Sequence, residues 1–430
     1  MVGGVMLLVM LILLAAGVPV VFSIGLAAVG GILVIGPGTP WIMIPNSMFN
    51  GMDSFPLMAV PFFVLAGELM NRGGITLRLV RFAGAIVGRI RGGLAHANIV
   101  SSMLFAGITG SALADTAAIG SILIPAMKEE GYEADFSAAV TASSSLIGPI
   151  IPPSITMVIL GVTAGVSIGG LFLAGVLPGI LIGFGLMGVA YFISRRRGYG
   201  GRTERITGRE FLTRLKEALL ALLMPVIILG GIFGGIMTPT ESAAVAALYA
   251  LLVGMFVFRE LKVRDLGGIF LRSGLVTAFI MLIVGVARIF SDLLASEQIP
   301  QQLSQSLLSL TQSPWLILLL INVFLLFVGA VMDTSAAIII LVPVLFPVAV
   351  SIGVDPLTFG IIMSINLIIG LATPPLGVCL FVAAGIAKIS VERLVLAIWP
   401  FLLVEIGVLI LITYVPGLAI AVPRFFGYVP

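Results

Sequence analysis

Long apolar runs broken by short polar or glycine-proline punctuation set the pattern of this chain. Residues 4–36 form one run, interrupted at Gly17-Val18-Pro19, which predicts one kinked span or two short ones. A turn-rich string, Gly36-Pro37-Gly38-Thr39-Pro40, follows, with Trp41 expected at a membrane–water interface. A span is expected over 55–70. Residues 75–91 change character: Arg78, Arg81, Arg89 and Arg91 alternate with Leu77, Leu79, Val80, Phe82, Ile86 and Val87 at roughly helical spacing. That spacing predicts a helix lying on the membrane surface, a basic loop being the alternative. The run 94–127 comes next, then 135–166, broken at Pro149 and Pro152-Pro153, and a clean span at 168–194. Further spans are expected at 218–237, 240–258 and 273–295. Ile299, Leu303, Leu307 and Leu310 give 299–312 a second helical stripe, and the runs 315–350, 357–387 and 394–415 complete the chain.

Composition turns these runs into a membrane protein. Of 430 residues 60% are hydrophobic and 10% charged, against about 25% charged in soluble domains. Strict alternation over strand-length segments is missing, so the spans are helices and not a barrel. The expected class is an all-α polytopic membrane protein of about ten to twelve transmembrane segments. The chain is apolar from Met1 and uncharged before Asp53, which suggests a retained first span in place of a cleaved signal. A single cysteine, Cys379, allows no internal disulfide, and one histidine, His96, leaves no His/Cys metal cluster. The net charge of +3 comes from a few basic loops and does not describe a nucleic-acid surface.

Those loops orient the chain. Residues 195–217 hold eight basic side chains (Arg195, Arg196, Arg197, Arg202, Arg205, Arg209, Arg214, Lys216) against three acidic ones, which places them in the cytoplasm. Arg259, Lys262, Arg264 and Arg272 mark a second cytoplasmic segment two spans later. No Lys or Arg lies between Arg288 and Lys388, so 296–313 and 351–356 belong on the other side.

Two strings place an Asp-Thr pair among small residues at membrane depth, one around Asp115-Thr116 and one around Asp333-Thr334. Asp115 and Pro125 match Asp333 and Pro343 at a displacement of 218 residues. Gly131, Gly148, Pro152 and Pro178 match Gly353, Gly370, Pro374 and Pro400 at 222, which suggests a four-residue insertion between the blocks. Charge puts the first copy's loops inside and the second copy's outside, so the repeat is inverted. To begin and end on one side, 94–127 must be a re-entrant hairpin with its tip near Thr109-Gly110-Ser111, and 315–350 a second one turning near residues 329–333. The expected division is 1–54 (N-terminal scaffold helices), 55–194 (repeat 1, with a surface arm helix, hairpin 94–127 and broken span 135–166), 195–272 (basic loop and scaffold helices) and 273–430 (repeat 2, with hairpin 315–350 and broken span 357–387).

Several motifs give the sequence a family resemblance. They are Ala59-Val60-Pro61-Phe62-Phe63-Val64-Leu65-Ala66-Gly67-Glu68, residues 109–120, Ile147-Gly148-Pro149-Ile150-Ile151-Pro152-Pro153-Ser154, and Ser167-Ile168-Gly169-Gly170-Leu171-Phe172. Met237-Thr238-Pro239-Thr240-Glu241 and Ala372-Thr373-Pro374-Pro375-Leu376-Gly377 complete the set. With these, nearly the whole chain resembles the large membrane subunit of tripartite ATP-independent periplasmic (TRAP) transporters, the DctM/SiaM family. One departure is Thr109, where the family often has Ser; the hydroxyl survives.

The resemblance implies a Na⁺-coupled importer in a bacterial or archaeal inner membrane, with the elevator-type ion-transporter fold. It implies a small membrane subunit of the DctQ/SiaQ type, a periplasmic binding protein of the DctP/SiaP type, and an organic-acid substrate such as a C4-dicarboxylate or a sialic acid. No enzymatic activity and no cofactor beyond the coupling ion are expected. One Na⁺ site is expected at Thr109, Ser111, Asp115, Ser144 and Gly148, and another at Gly329, Asp333, Thr334, Gly370 and Thr373. For each Asp the alternative role is a cap on free N–H groups at the hairpin turn. Candidate substrate contacts are Ser111, Ser154, Thr156, Ser167 and Arg288, the last with an alternative partner in Asp292 at i,i+4. Glu68 and Glu241 are expected as scaffold or helix-end partners. A stand-alone Na⁺- or H⁺-coupled carrier is the alternative function. An intramembrane aspartyl protease is disfavoured, since the Tyr-Asp and Gly-x-Gly-Asp contexts it needs are missing.

Overall fold

The structure, a computed structural model, describes residues 2–35, 41–200, 207–311 and 313–428. The turn at 36–40, Arg202 and Arg205 lie outside the described residues, as do the side chains of Leu303, Leu307 and Leu310. The described residues are helical, without strands. The chain opens with α1 (Val2–Ala15) and α2 (Val20–Ile35), a packed pair separated by the Gly17-Val18-Pro19 break. At 14 and 16 residues each rises roughly 21–24 Å at 1.5 Å per residue, less than a hydrocarbon core of about 30 Å. α3 (Met43–Met52) and α4 (Ala59–Arg72), the latter entered through a 3₁₀ turn at Phe55–Met58, meet at a bend of 64°.

The predicted surface helix is α5 (Ile75–Val87). It buries Ile75, Leu79, Phe82 and Val87 against the helices beneath and leaves Leu77 and Ile86 exposed. Arg78 fastens it to the segment 258–260, 2.7 Å from Glu260 and stacked on the Phe258 ring. Then follow α6 (Gly93–Thr109), α7 (Ala112–Glu129), α8 (Ala134–Ser144), α9 (Ile155–Ala164) and α10 (Ile168–Arg197). The centre holds α11 (Gly208–Phe233) and α12 (Pro239–Leu252), which runs on through a π turn at Val253–Val257. The remainder is α13 (Val263–Ser296), α14 (Ile299–Leu310), α15 (Pro314–Val331), α16 (Thr334–Ser351), α17 (Pro356–Gly370), α18 (Val378–Ala387), α19 (Val391–Tyr414) and α20 (Pro416–Phe425).

Among the described residues seven helices are long and apolar enough to cross a bilayer, or eight with the bent α3–α4 pair. The expected ten to twelve also takes in the run 4–36 and the broken runs 135–166 and 357–387, whose separate helices fall below that length. Two basic segments expected as loops are helix ends instead. α11 begins at Gly208, with the Thr207 hydroxyl capping Glu210 N–H at 3.3 Å. α13 begins at Val263, with Asp265 accepting from Lys262 N–H at 3.0 Å. Solvated charges do not interrupt a helix; caps decide where it starts. α20 was not anticipated.

The repeat is present, and its register differs from the one the Asp-Thr strings suggest. α7 and α16 are both 18 residues long, and their N-caps are Ser111 and Asp333, displaced by 222. α6 and α15 end at Thr109 and Val331, α8 and α17 begin at Ala134 and Pro356, and the cis bonds Pro152-Pro153 and Pro374-Pro375 match, all at 222. No four-residue insertion exists. Pro125 pairs with Pro347, and Asp115 has no counterpart carboxylate, since Ala337 stands at its position.

Ion pairs establish the inversion. Asp135 is reached both by Arg197, the last residue of α10, at 3.6 Å, and by Arg393, in the first turn of α19, at 3.5 Å. A methyl added at Gly185, midway along α10, would lie 2.4 Å from Val404 Cγ1 of α19. Equivalent helices therefore run antiparallel. The other packings are reciprocal, α7 on α18 and α16 on α9, α8 on α19 and α17 on α10, as an approximate two-fold axis requires.

Each hairpin folds onto the break of its own repeat. In the second, a methyl added at Gly370 would lie 2.2 Å from the Gly329 carbonyl carbon, so only glycine fits there. Gly370→Ala should lower the unfolding midpoint of the detergent-purified protein, with an overpacking cost of about 1–3 kcal/mol. Gly385→Ala, which would meet nothing within 4 Å, is the matched control. Equal midpoints for the two variants would contradict the close contact.

Candidate ion and substrate site

The first hairpin turns through Gly110, in the left-handed region at φ 59°, and extended Ser111, whose hydroxyl accepts from Ala114 N–H at 3.4 Å. Its arms run back to back, since Asn98 Nδ2 of α6 reaches Met127 Sδ of α7 at 3.9 Å. A methyl at Gly110 would lie 2.6 Å from the Pro153 carbonyl oxygen and 3.1 Å from Ile155 N. The tip is therefore seated on the start of α9, where Ser154 donates to Pro149 C=O at 2.5 Å and caps Met157 N–H at 3.2 Å. The N-termini of α7 and α9, capped by neighbouring serines, converge at this point. Their partial positive charge suits an anion.

Behind the tip lies Asp115, in the first turn of α7 and fully buried. A methyl at Gly148 would be 3.6 Å from the Ser111 carbonyl oxygen and 3.7 Å from Asp115 Oδ2. The Ser102 hydroxyl faces the carboxylate but donates to Ser144 Oγ at 3.1 Å, and Ser144 is within 3.3 Å of Asn98 Oδ1. Both Asp115 oxygens are left without a hydrogen-bond partner among the described residues. A bare ionised carboxylate in such a place costs several kcal/mol. The surroundings are oxygen-rich, the donor type that hard cations take.

Four of the five residues expected at the first site thus gather here: Ser111, Asp115 and Gly148 directly, and Ser144 through Ser102. Thr109 packs instead against α4, where a methyl at Gly67 would touch its Cγ2 at 3.4 Å, and its buried hydroxyl has no hydrogen-bond partner among the described residues. Asn98 and Ser102 escaped the sequence reading. The available signal was their i,i+4 spacing inside an apolar run, which puts both on one helix face.

The second hairpin is built differently at its tip. Asp333 is exposed, and its Oδ1 accepts from Ser335 N–H at 2.9 Å and Ala336 N–H at 3.3 Å, capping α16. Thr334 Oγ1 is buried and unpartnered. Leu376 N–H donates to Ala330 C=O at 3.2 Å, holding the tip to the break. Thr373 donates to Ile369 C=O at 2.9 Å, one turn back. The Gly329–Gly370 contact and Thr373 therefore lie beside the tip, and the carboxylate serves the helix end. Deeper in, Asn366 on α17 donates to Asn322 Oδ1 at 2.8 Å and Asn322 to Thr413 Oγ1 at 3.0 Å. Asn366 is displaced by 222 from Ser144, so each broken span offers a polar group to its hairpin's first arm at the same position.

The candidate substrate contacts separate into three places. Ser111, Ser154 and Thr156 lie at the tip of the first hairpin, and Thr156 is buried. Ser167 caps α10 beyond the far end of α9 and is exposed. It lines a cleft of ≈ 720 Å³ that also includes Phe55, Thr238, Glu241 and Tyr428. Glu241 forms a capping box with Thr238 there, accepting its N–H at 2.7 Å. Arg288 on α13 pairs with Asp292 at 3.0 Å and lies against Gly51 of α3. Glu68 reaches Arg272 of α13 at 3.8 Å.

A sequence model of the tripartite ATP-independent periplasmic transporter DctM component matches residues 7–418. The chain is 44% identical to the isethionate TRAP transporter permease protein DctMQ of Oleidesulfovibrio alaskensis, over 96% of this chain but 64% of that longer protein. It is 43% identical to the sialic acid TRAP transporter large permease protein SiaM of Vibrio cholerae, over 97% of each. It is 41% identical to the C4-dicarboxylate TRAP transporter large permease protein DctM of Pseudomonas aeruginosa, over 94% of each. Among solved structures the YdaH transporter of Alcanivorax borkumensis shares the fold, with a TM-score of 0.64 at 14% identity over 90% of this chain and 89% of that one. The chain belongs to the DctM family, the large membrane permease component of tripartite ATP-independent periplasmic transporters.

Proposed function

We propose that this permease component imports an organic acid through a bacterial or archaeal inner membrane, driven by Na⁺ and moving as an elevator. A periplasmic binding protein would deliver the substrate, and a small membrane subunit would brace the scaffold. The observation that carries the ion coupling is the Asp115 carboxylate, buried and unpartnered where the first hairpin meets its broken span. A Na⁺ ion there would take oxygens from Asp115, the Ser111 carbonyl and the end of α8 near Gly148. The second ion would sit at the Gly329–Gly370 contact with Thr373 and Thr334. The substrate carboxylate would meet the α7 and α9 N-termini at Ser111, Ser154 and Thr156. Three relatives are named for isethionate, sialic acid and C4-dicarboxylates, all anions at neutral pH, which supports an acid. The two hairpins with their broken spans would form the moving body, and α4, α11 and α12 part of the fixed one.

The test is uptake of candidate organic acids into proteoliposomes under a Na⁺ gradient. Uptake should require the cognate binding protein and small subunit; uptake by this chain alone would establish the stand-alone carrier instead. Asp115→Asn should cut Na⁺-stimulated uptake at least tenfold, the effect of about 1.4 kcal/mol of lost cation binding. Wild-type Na⁺ dependence in that variant would remove Asp115 from the site. For Asp333 the cap predicts a graded result. Asp333→Ala should lose Na⁺ stimulation, and Asp333→Ser, which can still cap α16, should recover most of it. Equal loss in both variants would show that the charge itself is required.

A further inference from the structure

α19 carries the other buried acidic side chain among the described residues. Glu405 is 0% exposed, like Asp115, and neither of its carboxylate oxygens has a hydrogen-bond partner. Its neighbour Val404 packs on Gly185 near the middle of the 30-residue α10, so the carboxyl lies well inside the apolar layer. Cys379, in the first turn of α18 and fully buried, lies on the helix that packs against both α7 and α19. An ionisable group held in hydrocarbon at this cost marks an ion or proton pathway by default.

The surroundings of the two carboxyls differ. Asp115 has a carbonyl and hydroxyls within reach, whereas neither Glu405 oxygen has a hydrogen-bond partner among the described residues, which leaves a hard cation without its oxygen shell. A proton needs no coordination shell. We propose that Glu405 is a proton-binding site, a neutral carboxylic acid in this conformation, whose proton exchange adds a pH-dependent step to the Na⁺-driven cycle.

Other charged groups on the packed elements do not intervene at that depth. Asp135, Asp355, Arg197 and Lys388 lie at the ends or caps of α8, α17, α10 and α18, and Arg424 lies in the last turn of α20. Tyr191 falls within the last two turns of α10, and Glu392, Arg393 and Tyr414 fall at the two ends of α19 itself. Cys379, in the first turn of α18, is the titratable side chain away from these ends on the packed elements.

This inference rests on the ion-coupled reading above and adds a proton to it. The test compares wild type with Glu405→Gln, a neutral isostere, in proteoliposomes holding the complete transporter. At a fixed Na⁺ gradient, an imposed pH gradient should change the wild-type uptake rate, and the variant should keep Na⁺-driven uptake without that response. Infrared spectra should show a protonated-carboxyl band that Glu405→Gln removes and Glu405→Asp shifts. An unaltered pH response in Glu405→Gln, or no such band in the wild type, would overturn the proposal. Loss of Na⁺-driven uptake from the wild type would sink the ion-coupled reading separately. Should Glu405→Gln fail to fold, the wild-type and Glu405→Asp spectra still decide.

Discussion

A carboxylate cannot stand charged and bare in hydrocarbon, and the organisation of this molecule follows from how it handles that cost. Asp115 sits where a hairpin tip meets a broken span, the two places at membrane depth where backbone carbonyls and N–H groups are free of helical partners. Such backbone is tolerated only when protein buries it or a cavity receives it. Here it is buried by glycines that let chains approach: Gly110 against Pro153, Gly148 beside Ser111, and Gly329 against Gly370. The same contacts leave unpaired oxygens on one side and helix N-termini on the other. An unpartnered carboxylate and two helix N-termini are therefore adjacent.

The two-fold relation duplicates this arrangement without duplicating its residues. At the tip of the first hairpin the cap is Ser111 and the acid comes one turn later. In the second, the acid is the cap and Ala337 stands where Asp115 would be. Oxygen-bearing caps are interchangeable for starting a helix, so Ser and Asp can hold equivalent positions. Freed from capping, Asp115 can serve an ion; Asp333, bonded to Ser335 and Ala336 N–H, serves the backbone. The reciprocal packing of α7 on α18 and α16 on α9 ties each hairpin to the other repeat.

Much of this was legible in the sequence because membrane depth magnifies polarity: Asp-Thr pairs, Pro-Pro breaks and basic loops stand out against apolar runs. The hairpin tips, the broken spans and the antiparallel repeat follow from those signals, and so does the cluster of Ser111, Asp115, Ser144 and Gly148. The register did not follow. Two Asp-Thr strings align by identity at 218 residues, whereas helix phase, set by Ser111 and Asp333 as caps, aligns at 222. Identity reports residue type, and caps report geometry. Ser102, Asn98 and Glu405 were missed for another reason: each is a lone polar residue in a span, and only packing shows what it faces. Ser167 and Arg288 were grouped with the substrate by residue type, and the fold sets them at the far end of α9 and on α13.

The central claim is that Asp115 is an ion site and Asp333 a helix cap. Thermal unfolding of the purified chain in NaCl against KCl tests it without substrate or partners, because a ligand that binds only the folded state raises stability by about 2.7 kcal/mol at one hundred times its dissociation constant. Na⁺ should raise the wild-type midpoint above that in K⁺, Asp333→Ser should retain the difference, and Asp115→Asn should lose most of it. An undiminished Na⁺ shift in Asp115→Asn, with the shift lost in Asp333→Ser, would contradict the account.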